Sequence, residues 1–356
     1  MVHEDVYRAG TPFIYVLMQE LSRQHPNEVQ CGYGRNEFWS DSIFDYDILT
    51  FHFPQAFMNG DKHSLKDLAD HIDSLKKRHV KITAFCHDLK PHYDKSGGAV
   101  NAMDIVYEKC DMIFHMGEYS LNLLSKQYPQ IKHVILPHPI YNRLYTKVPT
   151  REEAIKKLGL KRNRHYILSF GAFRADEERQ LVMEMASHFK NQGVEFLAPA
   201  FMKVPRERRI SFIPNRMELK ACHIKHKYHI HFDHGGFAPV DDETLPYYYA
   251  ACDFAFVQRK KILNSGNAVM PLLFDKVVVG PDVGNVGPLL KSYNYPTFNP
   301  DDTNSAVQAI DEAFKMKDDA GKNHEKAMSI HSTEVVSEKL YEYYLQLLNS
   351  KETQNN

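Results

Sequence analysis

Short runs rich in β-branched and aromatic residues alternate along the chain with longer stretches whose apolar positions recur at helical spacing. In the first half, Asp47 to Phe53 (DILTFHF), Lys81 to Cys86 (KITAFC), Met112 to His115 and His133 to Leu136 read as strands. Phe13 to Gln24, Leu65 to Arg78, Ala102 to Glu108 and Ser120 to Gln127 read as the helices around them. A connector over Asn142 to Arg164 contains a helix that starts from a capping box, Thr150 with Glu153, and closes at Gly159. A second series follows, with strands Tyr166 to Phe170, Val194 to Ala198, His229 to Phe232, Phe254 to Val257 and Lys276 to Gly280. Its helices are Asp176 to Asn191, Glu243 to Ala250 and Asn267 to Phe274; two closing helices, Ser305 to Lys315 and Ser332 to Leu348, lead into a polar tail, Asn349 to Asn356.

Such alternation predicts parallel sheets with helices on both faces. The expected architecture is α/β, two doubly wound Rossmann-like domains facing a cleft. Residues 1–145 form the first, residues 146–330 the second, and a C-terminal helix and tail span 331–356, the C-terminal helices being candidates to cross back to the first domain. A length of 356 residues agrees, since domains typically hold about 100–200.

Composition narrows the function classes. Apolar residues at 43% and charged residues at 25% are ordinary for a chain with a sizeable core. A formal net charge of -1 removes the electrostatic footprint of a general nucleic-acid binder. Five cysteines without a CxxC pair indicate neither a disulfide framework nor a thiolate zinc site, so a reducing cytoplasm is the expected location. The amino terminus lacks the pattern of a signal peptide and no apolar run approaches the ~18 residues of a membrane span, so membrane contact is expected only as peripheral contact on the cytoplasmic face.

Doubly wound sheets bind ligands outside the carboxyl ends of their strands. The most informative segment there is Arg259 to Gly284, RKKILNSGNAVMPLLFDKVVVGPDVG, where three cations precede Asn264-Ser265-Gly266-Asn267 at the start of an apolar helix. Small residues at a helix start admit a phosphate to free backbone N–H groups. The same residues also make an ordinary Ser N-cap with solvated Arg259, Lys260 and Lys261. Strand Tyr166 to Phe170 ends in Gly171, and Arg174 follows where a guanidinium can take a diphosphate, or pair with Asp176 or Glu177 on the surface. In the first half His87 and Asp88 follow KITAFC, His115 ends MIFH, and His138 lies in LPHP, three rim imidazoles of which any is also an ordinary hydrogen-bonded rim residue. A cluster of His223, His226, His229, His231 and His234 invites a metal reading but reads better as an exposed basic loop feeding a strand. Gly32-Tyr33-Gly34-Arg35 reads as a loop at the mouth of the cleft, and Arg206-Glu207-Arg208-Arg209 as a solvated face.

Taken together, YILSFGAFR, DETLPYYYAACDFAFV, NSGNAVMPLLFDKVVVGPDVG and YPTFNPDD resemble the nucleotide-binding domain of the GT-B glycosyltransferases, most of all the retaining group called family 4. FCHDLKPH, CDMIFHMGEYS and VILPHPIY resemble that family's acceptor domain more loosely, and TREEAIKKLGL its linker. The resemblance implies a hexosyltransferase-like enzyme of polysaccharide biosynthesis. It would move a sugar with retention from a nucleotide-diphosphate sugar to a glycan or lipid-linked acceptor, with no cofactor and no obligatory metal. Catalysis then falls to His87 and Arg174. Donor binding falls to Gly171, Arg179, Arg259, Asn264, Ser265, Gly266 and Asn267, and the acceptor or sugar side to Asp88, His115 and His138.

The chain also departs from that pattern. Arg179 stands where the family commonly has Lys, keeping charge but changing donor geometry. Ile262 and Met270 stand where two glutamates are common. No buried strand with a Gly-rich turn precedes the first helix, so that strand is abbreviated or the reading frame begins late. The missing carboxylates keep two alternatives open: a non-catalytic nucleotide-sugar-binding or scaffold subunit, and a sugar-nucleotide epimerase or hydrolase of the same fold.

Overall fold

A computed structural model describes residues 2–3, 12–58, 63–89, 98–202, 213–232 and 240–350. The chain forms two compact units, Met1–Leu144 with Ser329–Asn356, and Tyr145–Met328.

In the first unit the elements run β1 (Val2–His3), α1 (Phe13–Gln24), β2 (Gly32–Tyr33), α2 (Arg35–Phe38), β3 (Ile48–Phe51), α3 (Leu65–Lys77), β4 (Lys81–Cys86), α4 (Gly98–Lys109), β5 (Met112–His115), α5 (Glu118–Gln127) and β6 (Lys132–Ile135). The strands lie in the order β2-β1-β3-β4-β5-β6, all parallel. Every residue of β3 and of β5 is buried, as expected of a parallel sheet covered on both faces. A first strand is present among the described residues, Val2–His3. Two residues show no period, which is why no strand is predicted there. The Gly32 to Arg35 segment is not a plain loop: it carries β2, turns at Gly34 and starts α2.

The second unit runs α6 (Arg151–Lys157), β7 (His165–Leu168), α7 (Asp176–Phe189), β8 (Val194–Leu197), α8 (Ile213–Tyr228), β9 (Ile230–His231), α9 (Leu245–Ala251), β10 (Phe254–Phe256), α10 (Gly266–Leu273), β11 (Val278–Pro281), α11 (Val286–Ser292), β12 (Thr297–Phe298) and α12 (Thr303–Met316). Its strands are ordered β12-β11-β10-β7-β8-β9, again all parallel. The Thr150–Glu153 capping box forms in full at the start of α6. Helix α8 corrects the loop expected around His223 and His226. Its strongly basic face hid the helical period, yet sixteen residues wind from Ile213 to Tyr228. The charge run Arg206 to Arg209 lies outside the described residues.

Helix α13 (His324–His331) leads out of the second unit, and α14 (Thr333–Asn349) returns to the first, so the segment over 331–356 is no separate domain. The return is fastened by a clasp of polar groups. Asn142 donates to Glu334 at 2.7 Å and accepts from the Thr333 N–H at 2.8 Å, while the Ile140 N–H donates to the His331 carbonyl at 2.9 Å. Glu20, 3% exposed on α1, takes Arg23 and Arg143, and Arg143 also pairs with Glu334 at 2.7 Å. The bonds from Arg23, then the charge of Arg143, hold the Glu20 carboxyl below its ordinary range despite burial. Deeper in, the Tyr344 hydroxyl meets Thr50 at 2.8 Å, and Thr50 meets Thr83 at 2.9 Å, a hydroxyl chain linking α14 to β3 and β4.

Tyr344→Phe removes one buried hydrogen bond while Thr50 and Thr83 still satisfy each other, so urea unfolding should show a loss of about 0.5–1.5 kcal/mol. Tyr344→Ala also opens a cavity and should cost about 3–5 kcal/mol.

Candidate functional site

In the second unit the chain starts at β7, adds β8 and β9 on one side, then returns to add β10, β11 and β12 on the other. The connections reverse between β7 and β10, and the crevice at the carboxyl ends of such a strand pair is where open α/β sheets take their ligands. The loop after β7 carries Gly171 and Arg174, and the loop after β10 leads through Arg259 to the start of α10. Topology therefore brings together the two segments that looked most informative in sequence.

Five contacts knit these loops and the start of α7. The Ser169 hydroxyl donates to Gln258 Oε1 at 3.0 Å, Arg259 Nη2 donates to the Ala172 carbonyl at 3.0 Å, and Asn267 Nδ2 donates to the Phe170 carbonyl at 2.8 Å. Glu178, 5% exposed on α7, accepts from the Arg174 N–H at 2.7 Å and faces Arg259 Nη1 at 3.7 Å. Gly171 has φ +89°, and a Cβ there would stand 2.5 Å from Asn267 Nδ2, so the turn requires glycine for both conformation and space. On the far side of α10, Asn264 accepts from Asn285 Nδ2 at 2.8 Å. Gly284, φ +56°, lets the backbone close to 2.4 Å between its would-be Cβ and the Ile262 carbonyl.

The candidate donor residues thus divide by what they touch. Arg174 is exposed at the turn, and Ser265 caps α10 in extended conformation without a side-chain cap bond, ahead of the Gly266 and Asn267 amides. Arg259 is not one of three solvated cations: it is 7% exposed, drawn in by Glu178 and Ala172. Arg179 directs its guanidinium to the carbonyls of Phe201, Ala175 and Phe173, so its donors serve the turn rather than a ligand. Ile262 is half-buried and Met270 buried in α10, neither offering a carboxylate. Glu178 and Gln258 went unnoticed in sequence. The signals were a Glu one helical turn after Arg174, and a Gln ending an apolar strand run.

In the first unit, His52 Nδ1 and His87 Nε2 lie 2.9 Å apart at the carboxyl ends of β3 and β4. The His87 ring stacks on Phe53 at 4.8 Å, and Phe13 packs edge-on against both His87 and His138. His138 Nδ1 lies 2.8 Å from the Pro139 carbonyl, and Asp88 follows His87, partly exposed. His52 was not expected; only its place in the strand run TFHF marked it. His115, also expected on the acceptor or sugar side, has both ring nitrogens engaged within the fold. It is fully buried, with Nδ1 on Ser120 at 3.1 Å and Nε2 on His133 at 2.9 Å, and His133 reaches the Tyr128 carbonyl at 3.0 Å. Burial lowers the His87 pKa to about 4 and those of His115 and His138 to about 3, so all three are neutral near pH 7.

The histidine cluster disperses. His223 and His226 ride on α8, His234 lies outside the described residues, and His229 and His231 flank the buried carboxylate of Glu195. Among the described residues no group of His, Cys, Asp and Glu converges in a way that could hold a metal ion, and no helix is long and apolar enough to cross a membrane.

The sequence matches no protein-family model, and no curated protein matches it either. Solved structures do match. HepE of Anabaena, in complex with UDP, aligns with TM-score 0.67 at 12% identity over 97% of this chain and 98% of its own. Sucrose-phosphate synthase of Thermosynechococcus elongatus aligns with TM-score 0.64 at 13% identity over 96% of this chain and 80% of its own. This is the GT-B fold. Starch synthase IV of Arabidopsis thaliana, bound to ADP and acarbose, shares it with TM-score 0.57 at 13% identity over 85% of this chain and 73% of its own. Within the GT-B frame, the paired loops of the second unit occupy the sheet edge at which the strand order reverses.

Gly171→Ala should destabilise the second unit by about 1–2 kcal/mol through the positive φ, and displace Asn267 from Phe170, a change that chemical denaturation and the Asn267 side-chain NMR signals would report. Because His87, His115 and His138 have native pKa values below the ordinary 6.5, the unfolded chain takes up protons first as pH falls. Their contribution is complete above about pH 6.5 and declines toward pH 4, so the urea midpoint should fall between about pH 7 and pH 5, less steeply in His115→Gln.

Proposed function

We propose that this GT-B chain is a glycosyltransferase that moves a sugar from a nucleotide-diphosphate sugar to a glycan or lipid-linked acceptor. In this reading it is a retaining enzyme of the family 4 type, needs no obligatory metal, and works in the cytoplasm in polysaccharide biosynthesis, with peripheral membrane contact where the acceptor is lipid-linked. The observation that carries it is the convergence, at the carboxyl ends of β7 and β10, of exposed Arg174 with the amino end of α10, locked by the Asn267 bond to Phe170. In the transfer, the bond from the sugar's anomeric carbon to the diphosphate oxygen breaks and its electron pair leaves with the diphosphate, while an acceptor hydroxyl oxygen bonds the carbon and gives up its proton to the departing diphosphate. Charge therefore grows on the diphosphate, where Arg174 and the Gly266 and Asn267 N–H groups supply preorganised donors.

Neutral His87, supported by His52, would orient the sugar or acceptor hydroxyl by hydrogen bonding rather than as a cation. Gly171, Asn264 and Ser265 shape the loops around the diphosphate, and Arg259 and Arg179 hold those loops in place. HepE was solved with UDP and with UDP-glucose, which makes uridine nucleotides the first donors to test. Absence of a carboxylate at Ile262 and Met270 favours one second reading, a subunit that binds a nucleotide sugar without turning it over.

Calorimetry with UDP, GDP, ADP and CMP separates the readings. One nucleotide should bind, and binding should weaken in Arg174→Ala and Ser265→Pro. Turnover of the matching sugar nucleotide should drop about 100-fold or more in Arg174→Ala. Binding without turnover across a broad acceptor panel would give the second reading, and no nucleotide binding would overturn both.

A further inference from the structure

A cavity of about 540 Å³ opens at the amino ends of β7, β10 and β11, on the opposite edge of the second unit's sheet from Arg174 and Asn267. Its lining gathers five cations, Arg151, Arg162, Arg164, Lys276 and Lys317, together with His165. Two carboxylates, Asp253 and Asp318, share that lining, and Glu152 and Glu195 meet Arg162 and Arg164 from beside it, which leaves one positive charge in excess. A positive surplus in a concave site raises the local concentration of anions.

Each charge can be followed to its partner. Asp253, with 9% of its side chain exposed, accepts the Tyr166 N–H at 2.8 Å and faces Lys317 at 3.1 Å, His165 at 3.4 Å and Arg151 at 3.7 Å. One carboxylate thus answers two full cations. Arg151 also donates to the Ala251 carbonyl, and Lys276 donates to the Cys252 carbonyl at 2.8 Å, so the end of α9 is capped by positive charge. Those carbonyls supply dipoles but no net charge. Arg162 and Arg164 reach outward, to Glu152 at 2.6 Å and to Glu195 at 3.3 Å, and Arg162 has 78% of its side chain exposed, free to swing toward a ligand. Glu195 is meanwhile met by His229 and His231 as well.

We propose that this cavity is a second anion site that takes a small organic phosphate, distinct from the candidate donor crevice. Its volume falls in the ~300–1,000 Å³ range of small-molecule pockets, well above the need of a lone inorganic ion, and planar guanidinium groups match phosphate oxygens in pairs. The site stands on the cavity and its charges alone and does not depend on the glycosyltransferase reading.

The test uses the full chain with pyrophosphate as probe, inorganic phosphate for comparison, and acetate as a monoanionic control. Calorimetry should show pyrophosphate binding at millimolar concentration or tighter, weaker binding of phosphate, none of acetate, and loss of affinity with added salt. Arg162→Glu, at an exposed position that folding tolerates, should weaken pyrophosphate binding tenfold or more, and Lys276→Gln should act in the same direction. Arg174→Ala should leave this binding in place. Binding that vanishes in Arg174→Ala and survives Arg162→Glu and Lys276→Gln would assign the probe to the donor crevice and overturn the proposal, as would no binding of pyrophosphate at all.

Discussion

Glu178 is a carboxylate withdrawn from water at the carboxyl end of the second sheet, and two loops from different parts of the chain close upon it. One presents the Arg174 N–H and the other the Arg259 guanidinium. A buried carboxylate is costly unless its acceptor positions are filled and its charge is met, so the geometry that fills them is the geometry the loops must adopt. Arg259 in turn holds the Ala172 carbonyl, Asn267 holds that of Phe170, and Arg179 holds those of Phe173 and Ala175. The turn over 170–175 has its carbonyls gathered inward, which leaves the Arg174 side chain facing out. Preorganisation here means that an exposed cation is delivered by a backbone with little freedom left.

Much of the fold was legible in the residues. Strands such as KITAFC and MIFH, buried on both faces, are continuous apolar runs, and their bounds follow directly from composition. The Thr150–Glu153 cap is a local signature and forms locally. What stayed hidden was either too short or too polar. Strands β1, β2 and β12 have two residues each, and α8 places lysines and histidines around most of its circumference. Pairing with a neighbour, rather than intrinsic pattern, creates elements of that kind.

The candidate site was legible in a different way. Gly171, Asn267 and Arg174 stood out because glycine, a helix start and a guanidinium carry chemistry by type, and the strand order brings them to one edge. Partner choice could not be read so directly. Arg259 resembled Lys260 and Lys261 until the position of Glu178 was known, and His115 resembled His87 until Ser120 and His133 were seen to occupy both its nitrogens. Sequence gives donors and acceptors as inventories, while function depends on which of them are already satisfied.

The path of the chain has a temporal meaning. Tyr145–Met328 folds within one continuous stretch, whereas the first unit needs α14, whose Tyr344 reaches Thr50 across 294 positions of sequence. During synthesis all residues of the second unit precede α14, so the first unit gains that helix only after the second unit's residues are made. A chain built this way couples stretches far apart in sequence: loss of α14 would be felt first around β3 and β4, where Tyr344 meets Thr50 and Thr50 meets Thr83.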